Sequence, residues 1–212
     1  MRTFKLVLVI IGILILNQSI AQEIIKLPEP NKTGGKPLMQ AMNERQSSRE
    51  YIDKELTQQQ ISDLLWAAYG INRAETGKHT IPTSRNIQDM EIYIATKDGA
   101  FLYLPKDNAL QKIVAIDIRE ATGKQDFVKV AGANLIYVSD FSKAGNASDE
   151  IKTMTAATHC GFIGQNVYLY CASEGLISVF RAMVEKEELA KILNLSENKH
   201  VIYCQTVGYS KK

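Results

Sequence analysis

The segment Arg45-Gln46-Ser47-Ser48-Arg49 combines residue types that together bind phosphate. Two arginines stand four residues apart, with serine hydroxyls between them. A guanidinium fork matches the geometry of phosphate oxygens in a bidentate way, and a hydroxyl adds a further donor. The segment therefore predicts a site for a dianionic phosphate group. The alternative interpretation is a solvated, charged helix end, and the spacing alone leaves both open.

Motifs that are typical of several large enzyme classes are absent from the sequence. There is no GxGxxG, P-loop, GxSxG or HExxH pattern, which disfavours Rossmann dehydrogenases, NTPases, α/β-hydrolases and zincins. The three histidines, His79, His159 and His200, lack the spacing of metal ligands, so surface or packing roles are expected. The sequence thus predicts neither a catalytic acid or nucleophile nor a metal site.

The three cysteines, Cys160, Cys171 and Cys204, form no CxxC pair. On one helix, their spacing puts Cys160 and Cys171 on the same face but about 16 Å apart, too far for a disulfide. Buried free thiols are therefore expected. A bridge from Cys204 to one of the other two is the alternative.

The first 21 residues have the pattern of an export signal. Arg2 and Lys5 precede an apolar run over residues 6–16, and Ser19 and Ala21 occupy the −3 and −1 positions of a cleavage site. This run is too short to span a bilayer, which needs about 20 apolar residues in a helix. We expect a cleaved signal peptide and a periplasmic or secreted body. A retained signal anchor is the alternative.

The body of the chain has a balanced charge. Two of the 25 basic residues lie in the signal, which contains no acidic residue, so residues 22–212 hold 23 basic and 23 acidic side chains. A neutral body has no bulk field to attract nucleic acid or an anionic membrane. Neither is an expected partner, and no membrane span is expected in the mature chain. Hydrophobic residues make up 45% of the sequence, which suits a globular core.

Helical signals surround the arginine segment. Residues 22–36 lack periodicity and predict a linker or surface arm, after which a helix is expected to begin at Pro37. A second helix begins with a capping box between Thr57 and Gln60 and ends at Gly70. The apolar positions of these two helices are Leu38, Met39, Met42, Ile61, Leu64, Leu65 and Ala68.

A period of two then predicts strands. Residues 90–95 and 100–104 form a hairpin around Asp98-Gly99, and residues 134–138 form a buried strand. Helical stretches are expected near residues 108–114 and 125–131.

The longest predicted helix covers residues 150–174 and ends at Gly175. A strand at 176–179, a helix at 185–193 and a last strand at 200–207 complete the chain. Small residues on the inner face of the long helix would let another helix or a flat group approach closely; they are Ala156, Ala157, Gly161, Gly164 and Ala172. Helices mixed with a hairpin, without regular βαβ alternation, predict one domain with an α+β fold.

Taken in order, these motifs resemble the nitroreductase family of FMN flavoproteins over residues 37–212. The arginine segment is similar to that family's phosphate clamp, and Thr83-Ser84-Arg85-Asn86-Ile87-Gln88 is similar to its Pro-Ser-x-x-Asn-x-Gln segment. Further matching segments are residues 64–70, 161–169, 174–176, 178–183 and 207–212. His159 departs from the pattern, because an acidic or small residue is expected at its position.

The resemblance implies a mostly antiparallel central sheet flanked by helices and an intertwined homodimer with FMN bound noncovalently between the chains. The residues it implies for the cofactor are Arg45, Gln46, Ser47, Arg49 and Lys211 or Lys212 at the phosphate and ribityl chain, Asn86 and Gln88 at the pyrimidine edge, and the backbone of Ala182 and Met183 at the reactive edge.

The function that the resemblance implies is an exported oxidoreductase. FMN would supply the hydride chemistry, passing a hydride or two electrons to a small organic acceptor without a catalytic side chain. A non-catalytic flavin- or flat-ligand-binding protein on the same scaffold is the alternative, and an interaction module with a vacant cleft is a third. Because export separates the protein from free NAD(P)H, the expected reductant is a membrane-associated or protein donor.

Overall fold

An antiparallel sheet of seven strands forms the centre of the molecule. The computed structural model describes residues 23–211; the predicted signal peptide and Lys212 lie outside the described residues. The strands are β1 (Ile24–Lys26), β4 (Met90–Thr96), β5 (Gly99–Leu104), β6 (Ala109–Val114), β7 (Ala133–Asp140), β8 (Ile177–Arg181) and β9 (Lys199–Gly208). Their order is β1-β6-β5-β4-β7-β9-β8, and every pair is antiparallel. A separate two-stranded hairpin consists of β2 (Ile71–Arg73) and β3 (Lys78–His79).

Four α-helices flank this sheet, which confirms the predicted α+β fold. They are α1 (Leu38–Glu44), α2 (Gln58–Tyr69), α3 (Asp149–Glu174) and α4 (Lys186–Ile192). The capping box of Thr57 and Gln60 is present at the start of α2, and Gly70 is its C-cap. Gly175 ends α3 in the left-handed conformation, with φ 71°, which a glycine adopts without steric cost.

The sheet is buried on both faces because its strands alternate between two hydrophobic clusters. In β7, Leu135 and Tyr137 pack with α2 and α3, whereas Ile136 and Val138 pack with Leu189 of α4. This period of two places α3 across one face of the sheet and α4 on the other. Within the described residues, no helix has the length and apolar composition that crossing a bilayer requires.

Three expectations about local structure differ from the fold. Residues 109–114, expected to be helical, form strand β6, because pairing with β5 and β1 on either side outweighs a weak helical pattern. Residues 125–131, also expected to be helical, contain only a single 3-10 turn, Asp126–Lys129. The N-terminal arm contributes strand β1 to the sheet edge, with Leu27 buried behind it.

The small residues of α3 have two different environments. Ala156 and Gly164 are buried, and a Cβ on Gly164 would lie 2.6 Å from the Phe180 ring, so the predicted close approach occurs there. The prediction is wrong for Gly161, which is exposed and has no atom within 4 Å of its missing Cβ. Helical rotation places Gly161 beside the exposed Phe162, away from the sheet.

Candidate functional site

The arginine segment lines a cavity of about 940 Å³ at the C-terminal end of α3. Helix α1 ends at Glu44, and the chain then runs in an extended conformation beside β8. Ser47 forms a parallel bridge with Ser178, and the Ser48 N–H donates to the Ser178 carbonyl at 3.0 Å. The segment therefore begins at the C-cap of α1, Arg45, and is anchored to the sheet beyond it.

An extended backbone places alternate residues on the same side of the chain. Arg45, Ser47 and Arg49 are such alternate residues, and the cavity is lined by all residues from Arg45 to Glu50. Arg45 is half-buried, while Ser47 and Arg49 are exposed to solvent. The structure thus brings together the residues that were predicted to contact phosphate.

The cavity is lined by charges of both signs, Lys36, Arg45 and Arg49 together with Glu44 and Glu50. Among the described residues, neither Arg45 nor Arg49 has a carboxylate within ion-pair distance, and the Arg45 guanidinium lies 5.3 Å from the centre of the Tyr168 ring. Glu44, at the cavity edge, is already paired with Lys36. Two guanidinium groups beside a hydroxyl, neither of them in an ion pair among the described residues, form a donor set that fits a phosphate dianion.

Tyr168 of α3 also lines the cavity, although the sequence did not predict it as a site residue. Its hydroxyl accepts a hydrogen bond from the Phe180 N–H at 2.8 Å and lies 2.7 Å from the Ser47 hydroxyl. The Tyr168 hydroxyl can therefore donate its own proton in the hydrogen bond to the Ser47 oxygen. These two bonds connect α3, β8 and the arginine segment. No spacing in the sequence indicates this contact, since it depends on the tertiary approach of β8.

The C-terminal strand returns to the same cavity. Tyr51 forms an antiparallel bridge with Ser210, and the Lys211 N–H donates to the Glu50 carbonyl at 3.1 Å. Ser210 lines the cavity, and Lys211 is exposed next to it. The chain end is therefore close to the arginine segment, as the matching order of motifs suggested.

The other predicted cofactor residues do not line this cavity. Asn86 is exposed in a 3-10 turn, Ser84–Asn86, and Gln88 lines a second cavity of about 310 Å³. Ala182 and Met183 are exposed directly after β8. Within one chain, the structure does not bring these four residues into contact with the arginine segment.

Contacts with helix α3 show how far the loop of residues 84–88 lies from the arginine segment. The Ser84 N–H bonds to His159, and Ser47 bonds to Tyr168, nine residues further along the helix. Nine residues correspond to about 14 Å of rise and roughly half a rotation about the helix axis. The loop of residues 84–88 and the arginine segment therefore lie on opposite sides of α3.

The loop of residues 84–88 has an unusual backbone. Arg85, Asn86 and Gln88 have φ values of 49°, 57° and 48°, in the left-handed region that disfavours side chains. The Gln88 N–H donates to the Thr83 hydroxyl, and Lys143 donates to the Gln88 carbonyl at 2.9 Å. Left-handed residues of this kind persist only where their surroundings hold them, and they concentrate at binding sites.

A buried polar network lies behind this loop. His159 Nδ1 is 2.7 Å from Asp89 Oδ1, and the Ser139 hydroxyl donates to Asp89 Oδ2 at 2.7 Å. Burial by itself would raise the pKa of Asp89, but the hydrogen bonds from His159 and Ser139 outweigh it and lower that pKa below its usual value. The carboxyl group is thus held in its ionised form inside the protein.

The three cysteines are buried, and one of them, Cys171, lines the larger cavity. Cys160, Cys171 and Cys204 are buried and free, which confirms the predicted free thiols. Burial raises the pKa of all three, that of Cys204 to about 12, so the reactive thiolate form is suppressed. No group of three or more metal-ligating side chains occurs in the described part of the chain.

Comparisons with known proteins agree with the order of the motifs. The model of the nitroreductase family matches residues 42–209. A curated protein of Methanocaldococcus jannaschii that bears the name of a nitroreductase is 29% identical over 163 residues, covering 72% of this chain and 82% of the relative.

Solved structures show the same fold. A crystal structure from Ralstonia eutropha JMP134, named as a nitroreductase, is 35% identical with a TM-score of 0.84, covering 89% of this chain and 90% of that one. The NADPH:FMN oxidoreductase of Vibrio harveyi, complexed with NAD+, has a TM-score of 0.62 at 18% identity, covering 82% and 69% of the two chains.

Proposed function

Because this chain belongs to the nitroreductase family, we propose that it is an FMN-dependent oxidoreductase that passes a hydride or two electrons to a small organic acceptor. The observation that carries the proposal is the cavity lined by Arg45, Ser47 and Arg49, in which neither arginine forms an ion pair with a described residue. FMN, when bound, supplies the hydride chemistry, which explains why no nucleophile or catalytic acid is needed.

The residues of the chain would bind and orient the cofactor. Arg45 and Arg49 would bind the phosphate, with Lys211 nearby, and Ser47 would bind the ribityl chain. Tyr168 would hold Ser47 in place through the hydrogen bond between their hydroxyls.

Purified protein from Gln22 onward tests the proposal. We expect the visible absorbance of bound flavin, its loss on anaerobic addition of a reductant, and its return on addition of a quinone or nitroaromatic acceptor. A protein that binds flavin but cannot be reoxidised by any such acceptor would be a non-catalytic binder. A colourless protein that does not take up added FMN would contradict the proposal.

We also propose that the active form is a homodimer built on α3. Residues 153–173 of this helix contain no Asp, Glu, Lys or Arg, although one face of the helix is exposed. Met154 and Phe162 are exposed on that face. Long uncharged helix faces with exposed large apolar side chains are typical of protein interfaces. We propose that a second copy of the chain covers this face of α3, because the arginine segment of one chain would then lie near the 84–88 loop of the other.

A mixed dimer tests this arrangement. We expect chains with Arg45→Ala and Arg49→Ala, and chains with Asn86→Ala, to bind FMN weakly as separate homodimers. When co-expressed, each mixed dimer would contain one intact site, formed by the arginines of one chain and Asn86 of the other. Titration should then show half of the wild-type stoichiometry at wild-type affinity. Uniformly weak binding in the mixed dimer, or a monomer that carries FMN, would contradict the arrangement.

Export remains a proposal that rests on the sequence of residues 1–21. An exported enzyme has no access to the cytoplasmic nicotinamide pool, so we propose that its physiological reductant is a membrane-associated or protein donor. Fractionation of the native cells is the test. A body retained in the cytoplasm would remove the reason for this proposal, even if NADH reduces the purified protein.

A further inference from the structure

We propose that His159 is a positioning residue, which holds the loop of residues 84–88 in the conformation that presents Asn86 to the flavin ring. This inference rests on the proposed function, and it concerns a residue that departs from the family pattern. His159 would act through the loop and not by contact with the reacting atoms.

The hydrogen bonds fix the role of each nitrogen of the imidazole ring. The Ser84 backbone N–H can only donate, so His159 Nε2, at 2.8 Å, is the acceptor and carries no proton. Nδ1 therefore carries the proton of the neutral ring and donates to Asp89 Oδ1 at 2.7 Å. Asp89 is held in turn by the Ser139 hydroxyl. The neutral tautomer is thus selected by its two neighbours.

The network is rigid because it lies inside the protein. His159, Asp89 and Ser139 are each no more than 2% exposed. Asp89 immediately precedes β4, and the Asp140 N–H donates to its carbonyl at 2.8 Å, which fastens it to the end of β7. His159 belongs to the buried face of α3. The ring therefore connects the packed core to a loop on the surface.

Two backbone hydrogen bonds close the 3-10 turn of the loop, and the other hydrogen bonds that hold it include those to His159 and from Lys143. Ser84, Arg85 and Asn86 are exposed, and three of its residues have left-handed backbone conformations. Without an external hold, ordinary right-handed conformations would be favoured at these positions. The bond from Ser84 to His159 secures the start of the loop, while Gln88 and Lys143 secure its end.

Asn86 is the part of the loop that is available for a ligand. Its side chain is exposed, and its only side-chain hydrogen bond among the described residues is a long one, 3.4 Å, from Gln88 to its carbonyl oxygen. An amide offers both a donor and an acceptor, which is what the pyrimidine edge of a flavin requires. A shift of the loop would move this amide without changing the phosphate site.

Two substitutions separate the positioning role from simple filling of the core. His159→Gln places an amide oxygen near the position of Nε2, where it can still accept from the Ser84 N–H. His159→Asn places an amide nitrogen near the position of Nδ1, where it can donate to Asp89, but it leaves Ser84 without an acceptor. Both variants are smaller than histidine and remain polar, so a role limited to packing predicts similar effects for the two.

Hydrogen exchange in the flavin-free protein is the first measurement. We expect the amides of residues 84–88 to exchange at least about tenfold faster in His159→Asn than in wild type, and within about threefold of wild type in His159→Gln. Equal acceleration in both variants, or none in either, would overturn the positioning role. If His159→Asn does not fold, Ser84→Pro removes the donor from the surface side and should free the loop in the same way; unchanged exchange of residues 85–88 would then overturn it.

Flavin binding is the second measurement. In His159→Asn, the affinities for FMN and for riboflavin should fall by the same factor, about fivefold to twentyfold, because the ring edge and not the phosphate has lost a partner. In His159→Gln both should stay within about threefold. If wild-type protein binds FMN but the two variants have the same flavin affinity, the positioning role of His159 is overturned and the proposed function is not. Wild-type protein that binds no flavin would overturn the proposed function together with it.

Discussion

Replacing Arg45 or Arg49 with alanine is expected to weaken FMN binding by a factor of roughly ten to a hundred. A charge-assisted contact to a phosphate contributes about 1.5–3 kcal/mol, which corresponds to this loss of affinity. Neither guanidinium has a carboxylate partner among the described residues, so little compensating interaction is released when one is removed. Riboflavin, which lacks the phosphate, should bind wild type weakly and be almost unaffected by either substitution.

Titration of FMN and riboflavin into the apo protein measures both expectations. Arg→Lys at either position should recover only part of the affinity, because an ammonium group cannot present a two-pronged fork. Arg73→Ala is a matched control, since Arg73 is an exposed arginine on the β2–β3 hairpin and does not line the cavity. Unchanged FMN affinity in both alanine variants, or an equal loss for riboflavin, would show that the phosphate binds elsewhere.

Elements whose signals are local could be predicted from the sequence. The capping box of Thr57, the left-handed Gly175 and the alternation in β4 each depend on residues within a few positions of one another. Strand β6 could not be predicted in this way, because its conformation is decided by partners on both sides that are distant in sequence. The arm that becomes β1 was missed for the same reason.

The residues of the candidate site also differ in whether local sequence signals reveal them. The arginine segment was identified because its chemistry lies within five consecutive residues. Tyr168 and His159 were not, since their importance depends on which backbone N–H groups the fold brings to them, those of Phe180 and Ser84. The extended conformation of residues 45–49 was also unexpected, because it depends on contact with Ser178, a residue distant in sequence.

Arg181 is a further residue whose role the sequence does not reveal, since it is a buried cation at the end of β8. It is 4% exposed, and no carboxylate lies within ion-pair distance of it among the described residues. Its guanidinium donates instead to the Thr122 carbonyl at 2.8 Å, the Thr206 hydroxyl at 2.8 Å and the Asn134 side-chain oxygen at 3.1 Å. Burial lowers the pKa of this group, but an arginine remains charged throughout the accessible pH range.

Replacing Arg181 with methionine is therefore expected to lower the free energy of unfolding by about 3 kcal/mol. Methionine removes the cost of burying a charge, but it leaves the Thr122 carbonyl and the Asn134 oxygen without their charged donor, and each lost bond of this kind costs about 1.5–3 kcal/mol. For a chain of this size, the midpoint of thermal unfolding should fall by roughly 6–12 °C. Ala182 and Met183 follow directly, so the same substitution should loosen the segment proposed to meet the reactive edge of the flavin.

Urea unfolding of the flavin-free protein measures this effect without interference from the cofactor. Arg73→Met, the same substitution at an exposed position, removes the bond from the Arg73 guanidinium to the His79 carbonyl and should lower the free energy of unfolding by no more than about 1 kcal/mol. Arg181→Lys should be intermediate, because one ammonium group keeps the charge but cannot span three acceptors on different strands and loops. An Arg181→Met variant as stable as the Arg73→Met control would show that the cost of burying the cation equals the gain from its five hydrogen bonds. Strand pairing with β9 and the bond from the Phe180 N–H to Tyr168 would then be enough to hold the end of β8.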